Sequence, residues 1–129
     1  MAKPKDLNSI PSVEAIMAKG SGPAVIDFWA PWCAPCRAMA PQFEAVAQHY
    51  EGQPVRFYKI NTEAHPELAE PFHVRALPTT AFVMDGQIMD VAVGAMDGAR
   101  LTKKVEWLLS KSRGESWWTR LTGKKAAEA

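Results

Sequence analysis

The segment Ala24-Val-Ile-Asp-Phe-Trp-Ala30 limits the possible folds of this chain more than any other. It is apolar throughout except at Asp27. A strand with one wet face alternates apolar and polar residues, whereas a nearly continuous apolar run marks a strand buried on both faces. Such a strand needs a layer above it and a layer below it. The carboxylic acid in its middle is the one residue that the packing argument does not explain.

The flanking sequence supplies the layers. Ser12 is read as the cap of a short helix from Val13 to Lys19, ended by Gly20, and Gly22-Pro23 as a turn. Beyond the strand, Met39, Phe43, Val46, Ala47 and Tyr50 recur at helical spacing, with Gly52 as the expected stop. Pro41 falls inside this helix, removes a backbone donor and predicts a kink. Val55 to Ile60 reads as a second strand, and Pro66 as the opening of a short helix reaching about Phe72. Thr79 to Met84 and Gln87 to Val93 read as a hairpin joined at Asp85-Gly86. Asp97 is the expected cap of a last helix whose Leu101, Val105, Leu108 and Leu109 form its buried stripe. Lys5 to Ile10 is a weak candidate for a first strand. The sum is an α/β chain, a mixed sheet with helices on its faces in three α/β/α layers.

The chain has 129 residues, a formal net charge of +1, and two cysteines. That length suits one domain. Composition is 47% hydrophobic and 22% charged, as in a globular protein and unlike a disordered one. The near-zero charge gives no electrostatic case for nucleic acid. No apolar run approaches the roughly 18 residues of a membrane span. The start of the chain lacks the apolar stretch of a secretory signal, so a cytoplasmic protein is expected. The charge is unevenly spread: residues 111–129 carry +3 and the rest −2. The expected division is therefore a domain over 1–110 and a basic tail over 111–129. Trp117, Trp118 and Leu121 would form one face of that tail, with Arg113, Arg120, Lys124 and Lys125 around it. It is read either as an anchor for a partner or membrane surface, or as a segment that folds back or stays disordered.

Cys33 and Cys36 are too few for a disulfide scaffold, and a loop this short constrains little of the unfolded chain. A zinc site would need two more ligands from His49, His65 and His73, which lack metal-ligand spacing. Reactive sulfur is the remaining reading. The pair follows a buried strand and opens a helix, where unpaired backbone N–H groups and the helix dipole stabilise a thiolate at Cys33. Cys36, one turn further in, is expected to be more buried and less ionised. Cys33 would attack a substrate disulfide, and Cys36 would then resolve the mixed disulfide. Pro35 stiffens the loop between them. Asp27 has its own physical case: a carboxyl in an apolar site holds its proton to higher pH and can exchange it near neutrality.

Val25-Ile-Asp-Phe-Trp-Ala-Pro-Trp-Cys-Ala-Pro-Cys-Arg37 closely resembles the active-site segment of the thioredoxin family. The likeness continues through Pro41, Lys59-Ile-Asn61, Leu77-Pro78-Thr79, Asp85-Gly86 and Val93-Gly94-Ala95, covering about residues 12–109. It implies a thioredoxin fold and reduction of protein disulfides, with Asp27 relaying the proton that activates Cys36 and Lys59 tuning that acid. It implies a cis peptide bond at Pro78, and a docking surface of Trp32, Ala34, Ala76, Leu77, Pro78, Gly94 and Ala95 around Cys33. Trp29 is expected beneath the site instead of against substrate. No bound cofactor or metal is implied; electrons would come from NADPH through a thioredoxin reductase, and the partners would be that reductase and disulfide-containing clients. A monomer is expected. Ala34 stands where most thioredoxins have Gly, which restricts the backbone at the helix start. Pro35, in place of the histidine of disulfide-forming relatives, favours a reductant. The other readings are a thiol oxidase or isomerase, and a binding module acting through the tail.

Overall fold

The computed structural model describes residues 3–114. Five strands, β1 (Lys5–Asp6), β2 (Pro23–Trp29), β3 (Arg56–Asn61), β4 (Thr79–Met84) and β5 (Gln87–Val93), form one sheet in the order β1-β3-β2-β4-β5. The first three are parallel, β4 is antiparallel to β2, and β5 is antiparallel to β4. Strand β2 is central in this sheet, and its continuous apolar run is accounted for by the helices packed on both faces.

Helices α1 (Ile10–Met17), α2 (Ala34–His49), α3 (Pro66–Ala69, continued by a 3-10 turn at Glu70–Phe72) and α4 (Gly98–Ser112) cover the two faces. On one face Ala24, Ile26 and Phe28 of β2 pack with Ile16 of α1 and with Leu68 and Phe72. On the other, Val25 packs with Met39 and Phe43 of α2 and with Leu101 and Val105 of α4. The alternation of β2 side chains between the two clusters is the period-2 geometry of a strand.

Several element ends differ from the sequence expectation. Helix α1 starts three residues earlier, with Ser9 as its cap: the Ser9 hydroxyl accepts from the Ser12 N–H, and the Ser12 hydroxyl accepts from the Ser9 N–H. Ser12 is the third helical residue of a reciprocal capping pair, not the cap. Ile10 therefore opens a helix, and β1 shrinks to two residues. Helix α2 ends at His49 with Tyr50 as its C-cap, and Gly52 sits in the following turn with φ 83°. The helix continues unbroken through Pro41.

The hairpin at Asp85-Gly86 forms as expected, with φ of 50° and 82° at the two positions, as a type I′ turn requires. A Cβ on Gly86 would come 2.9 Å from the Met17 carbonyl, so the turn needs glycine for space as well as conformation. Asp85 also accepts from Gly20 N at 2.9 Å and Gly22 N at 3.3 Å, tying the hairpin to the loop before β2. Asp97 caps α4 by accepting from Arg100 N at 2.8 Å. Helix α4 runs to Ser112, two residues past the expected domain boundary. Trp117, Trp118, Leu121, Arg120, Lys124 and Lys125 lie outside the described residues. Among the described residues, no helix is long and apolar enough to cross a membrane.

Candidate active site

The site stands where β2 passes into α2. Cys33 is the N-cap of α2, and its sulfur accepts from the Cys36 N–H at 3.3 Å. The two cysteines form a disulfide across a Cα–Cα distance of 5.3 Å. The helix holds them there: Cys33 N donates to Ala30 O, and Arg37 N to Cys33 O, both at 3.1 Å. Arg37 also donates from its guanidinium to Pro31 O at 2.8 Å, closing the turn that carries Trp32. Both cysteines are buried, Cys33 at 5% exposure and Cys36 at 2%. Exposure separates them little; their positions on the helix separate them more, since only Cys33 stands at the cap.

Ala30, Cys33 and Cys36 form a small cluster, with Trp29 and Leu77 packed against it. Trp29 thus lies beneath the disulfide, as expected, whereas Trp32 is 66% exposed beside it. Ala34 and Pro35 are exposed in the first turn of α2. The Leu77-Pro78 bond is cis. Gly94 N donates to Pro78 O at 2.8 Å, which joins the segment before β4 to the segment after β5. Leu77 is half-buried, Pro78 buried, and Ala76 and Ala95 exposed. Trp32, Ala76 and Leu77 also border a cleft of about 490 Å³ whose far wall includes Thr62, Ala69, Glu70, Val74 and Arg75. No sequence motif points to that wall, whose residues come from separate positions between Thr62 and Arg75.

Asp27 lies between these parts. On β2 it shares a face with Val25, which packs under α2, and with Trp29, which packs under the disulfide. It is 1% exposed. Burial in this apolar setting pushes its pKa from 3.8 up to about 6, and the positive charge of Lys59 pulls against that rise. Lys59 is the residue opposite Asp27 on β3. It is half-buried, not fully exposed to solvent, and its Nζ stands 4.7 Å from the centre of the Trp29 ring. On the other side Asp27 faces Thr80 of β4. Asp27 Oδ1, Trp29 Nε1 and Thr80 Oγ1 are buried and lack a hydrogen-bond partner among the described residues. Nothing in the local sequence singles out Thr80, which lies in the mostly apolar strand Thr79–Met84.

The remaining candidates play structural parts. His49 ends α2, His65 caps α3, and His73 closes the 3-10 turn with φ 55°. Met39 and Met96 are buried, and Met84 and Met89 pack against the same core. Among the described residues, no group of three His, Cys, Asp or Glu side chains is placed to hold a metal ion.

A buried disulfide at a helix start, over a mixed sheet of this order, is an arrangement suited to thiol–disulfide exchange. The Thioredoxin family model matches residues 10–107, and the chain belongs to the thioredoxin family. It is 38% identical over 96 residues to chloroplastic thioredoxin M2 of Arabidopsis thaliana, covering 74% of this chain and 51% of that protein. It is 40% identical over 84 residues to thioredoxin 1 of Nostoc sp., covering 65% of this chain and 78% of that one. The chain thus matches about half the length of the chloroplastic relative and more of the cyanobacterial one. Among solved structures, Malassezia sympodialis thioredoxin superposes with a TM-score of 0.75 at 30% identity, over 84% of this chain and 95% of that one. Oxidized mitochondrial thioredoxin 3 of Saccharomyces cerevisiae gives 0.73 at 31%, over 81% and 95%.

Proposed function

We propose that the protein reduces disulfide bonds in other proteins, cycling between a Cys33–Cys36 dithiol and the disulfide. The observation that carries this reading is the Cys33 sulfur at the cap of α2, accepting the Cys36 backbone N–H. A group that accepts a hydrogen bond at a helix N-terminus is stabilised there as an anion. In the dithiol form, the Cys33 thiolate attacks one sulfur of a client disulfide. A Cys33–client bond forms, the client S–S bond breaks, and one client thiolate leaves. Cys36 then loses its proton and attacks Cys33. The Cys33–Cys36 bond forms, the mixed disulfide breaks, and the second client thiolate leaves. Two electrons have passed to the client.

Asp27 takes the Cys36 proton. With its pKa near 6 it is largely carboxylate at neutral pH, yet its proton affinity stays within reach of a thiol. Lys59 keeps that affinity from rising further. Pro35 holds the first turn of α2 in helical shape, and Ala34 and Trp32 face the client. Ala76, Leu77, Pro78, Gly94 and Ala95 complete the docking surface, the Leu77 backbone pairing with an extended client segment as an added strand would.

The reading assigns residues 1–110 to this activity and 111–129 to an appended tail, in a monomer that carries no bound cofactor. The oxidised protein is returned to the dithiol by NADPH through a thioredoxin reductase. A reducing compartment, the cytoplasm in the simplest case, suits that cycle.

The test is reduction of insulin with NADPH and a thioredoxin reductase. Cys33→Ser and Cys36→Ser should both lose turnover, and only Cys36→Ser should accumulate a mixed disulfide. Wild-type protein that leaves insulin oxidised would overturn the proposal.

A further inference from the structure

The face of the sheet beneath α2 is crossed by a row of three polar residues in register: Lys59 on β3, Asp27 on β2 and Thr80 on β4. Lys59 and Asp27 have the parts assigned above. Thr80 has none, and its burial is costly without one. It is fully buried, and its hydroxyl has no hydrogen-bond partner among the described residues. A buried hydroxyl left without a partner is destabilising, because its lost hydration is not replaced. Valine would fill the same volume without that cost.

Its neighbour shows the contrast. Thr79 points to the opposite face and donates its hydroxyl hydrogen to Ala76 O at 2.6 Å. Thr80 has no such carbonyl beside it. What it has is Asp27 directly across the ladder, with a carboxyl oxygen equally without a partner. Residues directly opposite in antiparallel strands hold their Cβ atoms about 4.5–5.5 Å apart. A threonine hydroxyl and an aspartate oxygen, each reaching inward from its Cβ, can close that gap to a hydrogen bond by rotation about χ1.

We propose that Thr80 is a positioning residue for Asp27, its hydroxyl donating a hydrogen bond to the Asp27 carboxylate when that acid is ionised. The proposal rests on the reading of Asp27 as the acceptor of the Cys36 proton. A donor that bonds the charged form favours it, so Thr80 acts with Lys59 against the desolvation that holds the proton on Asp27. The two neighbours differ in kind. Lys59 acts by its charge, whereas the Thr80 hydroxyl fixes one rotamer of the carboxyl in the space between Val25 and the disulfide.

Trp29 Nε1, two residues along the same strand and face, is the other buried donor without a partner among the described residues, but it packs under the disulfide, whereas Thr80 is directly opposite Asp27. Helix α2 brings Cys36 and then Met39, and α4 presents Leu101, Val105, Leu108 and Leu109 to the core. Asp90 and Lys104 lie further from the disulfide and pair with each other at 2.7 Å.

The test is the titration of the Asp27 carboxyl carbon followed by NMR in the full-length protein, for wild type, Thr80→Val and Thr80→Ser. Valine keeps the shape and removes the donor. Its Asp27 midpoint should rise by about one pH unit, a tenfold loss of carboxylate at a given pH below the midpoint. Serine should return the midpoint to the wild-type value. An unchanged or lowered midpoint in Thr80→Val overturns the proposal, and so does a serine variant that titrates like valine. The readout does not depend on turnover. If Asp27 is not the proton acceptor, Asp27→Asn will leave insulin reduction unchanged, a result separate from any movement of the titration.

Discussion

The two faces of the sheet are built from the same strands and differ in one respect. The α1/α3 face is apolar across its centre: Ala24, Ile26 and Phe28 on β2, Tyr58 and Ile60 on β3, and Ala81 and Val83 on β4. The α2/α4 face begins in the same way, with Phe57, Val25 and Phe82, and then is interrupted by Lys59, Asp27 and Thr80. That interruption comes between the main core cluster and the disulfide. One face is apolar at its centre, and its buried Thr79 is satisfied by Ala76 O. The other gives up packing quality at the row where, on the reading proposed above, a proton is handled near sulfur. A fold of this kind therefore separates its stability from its chemistry by strand parity, because successive residues point to opposite sides.

The largest effect that checks this division is on the apolar face. Phe28 is fully buried, its ring 5.0 Å from that of Phe72. Phe28→Ala should cost about 3–5 kcal/mol in denaturant unfolding, the usual range for a buried phenylalanine. The pH dependence of insulin reduction by the fraction still folded should keep its wild-type midpoint. A shifted midpoint would show that the two faces are not separable.

Next in size is Asp27→Asn, on the opposite face, and its sign is reversed. A carboxyl whose pKa rises from 3.8 to about 6 on folding holds a proton that the unfolded chain releases. Stability is then lost as pH rises from about 4 to about 6 and stays lost above that. At 1.36 kcal/mol per pKa unit, the acid costs at most about 3 kcal/mol at pH 7. The asparagine variant should be more stable than wild type at pH 7 and no more stable near pH 4. Equal differences at both pH values would mean that ionisation of Asp27 is not the source.

A smaller effect is local to α1. Ser9→Ala removes the cap that receives the Ser12 N–H and should lower stability by about 1 kcal/mol without touching turnover. The smallest effect sharpens the polar row. Lys59→Gln removes the positive charge opposing the rise of the Asp27 pKa, so the carboxyl should titrate at higher pH. The shift should be smaller than the one burial has already produced. A downward shift would mean that Lys59 acts on Asp27 other than through its charge.

Much of this was legible in the sequence, for identifiable reasons. Strands β4 and β5 have the bounds that their apolar patterns and the Asp-Gly turn indicate, because both signals are local. The same holds for the cap and stripe of α4. The start of α1 differs from the expected Ser12 cap because Ser9 and Ser12 are equally good caps by type. The choice falls to Ser9 because its partner three residues on can answer it and Pro11 suits the first turn. Gly52 was read as a helix stop although its positive φ serves the turn beyond Tyr50.

The site was legible where it lies along the chain and opaque where it lies across it. Cys33, Cys36 and Asp27 share one continuous segment, so their chemistry could be argued from order alone. That Lys59 flanks Asp27 depended on a family resemblance, since without the register a lysine in a strand looks like one facing solvent. Thr80 carries no local anomaly, because a threonine beside a second threonine in a short, mostly apolar segment is ordinary strand sequence. A signal was available only in combination: a polar residue with the same parity as Asp27, on a strand paired in register with it.

The most direct test of the link between buried acid and sulfur is the pH dependence of the resolving step itself. Mixed disulfide between Cys33 and a small thiol-bearing chromophore can be formed on the protein, and its release by Cys36 followed by stopped flow. In wild type, the expected rate carries a sigmoid component with a midpoint near 6, the pH at which Asp27 gives up its proton. In Asp27→Asn that component should be absent and the rate near neutrality lower. Superimposable profiles for the two proteins would contradict the assignment of Asp27 as the group that takes the proton from Cys36.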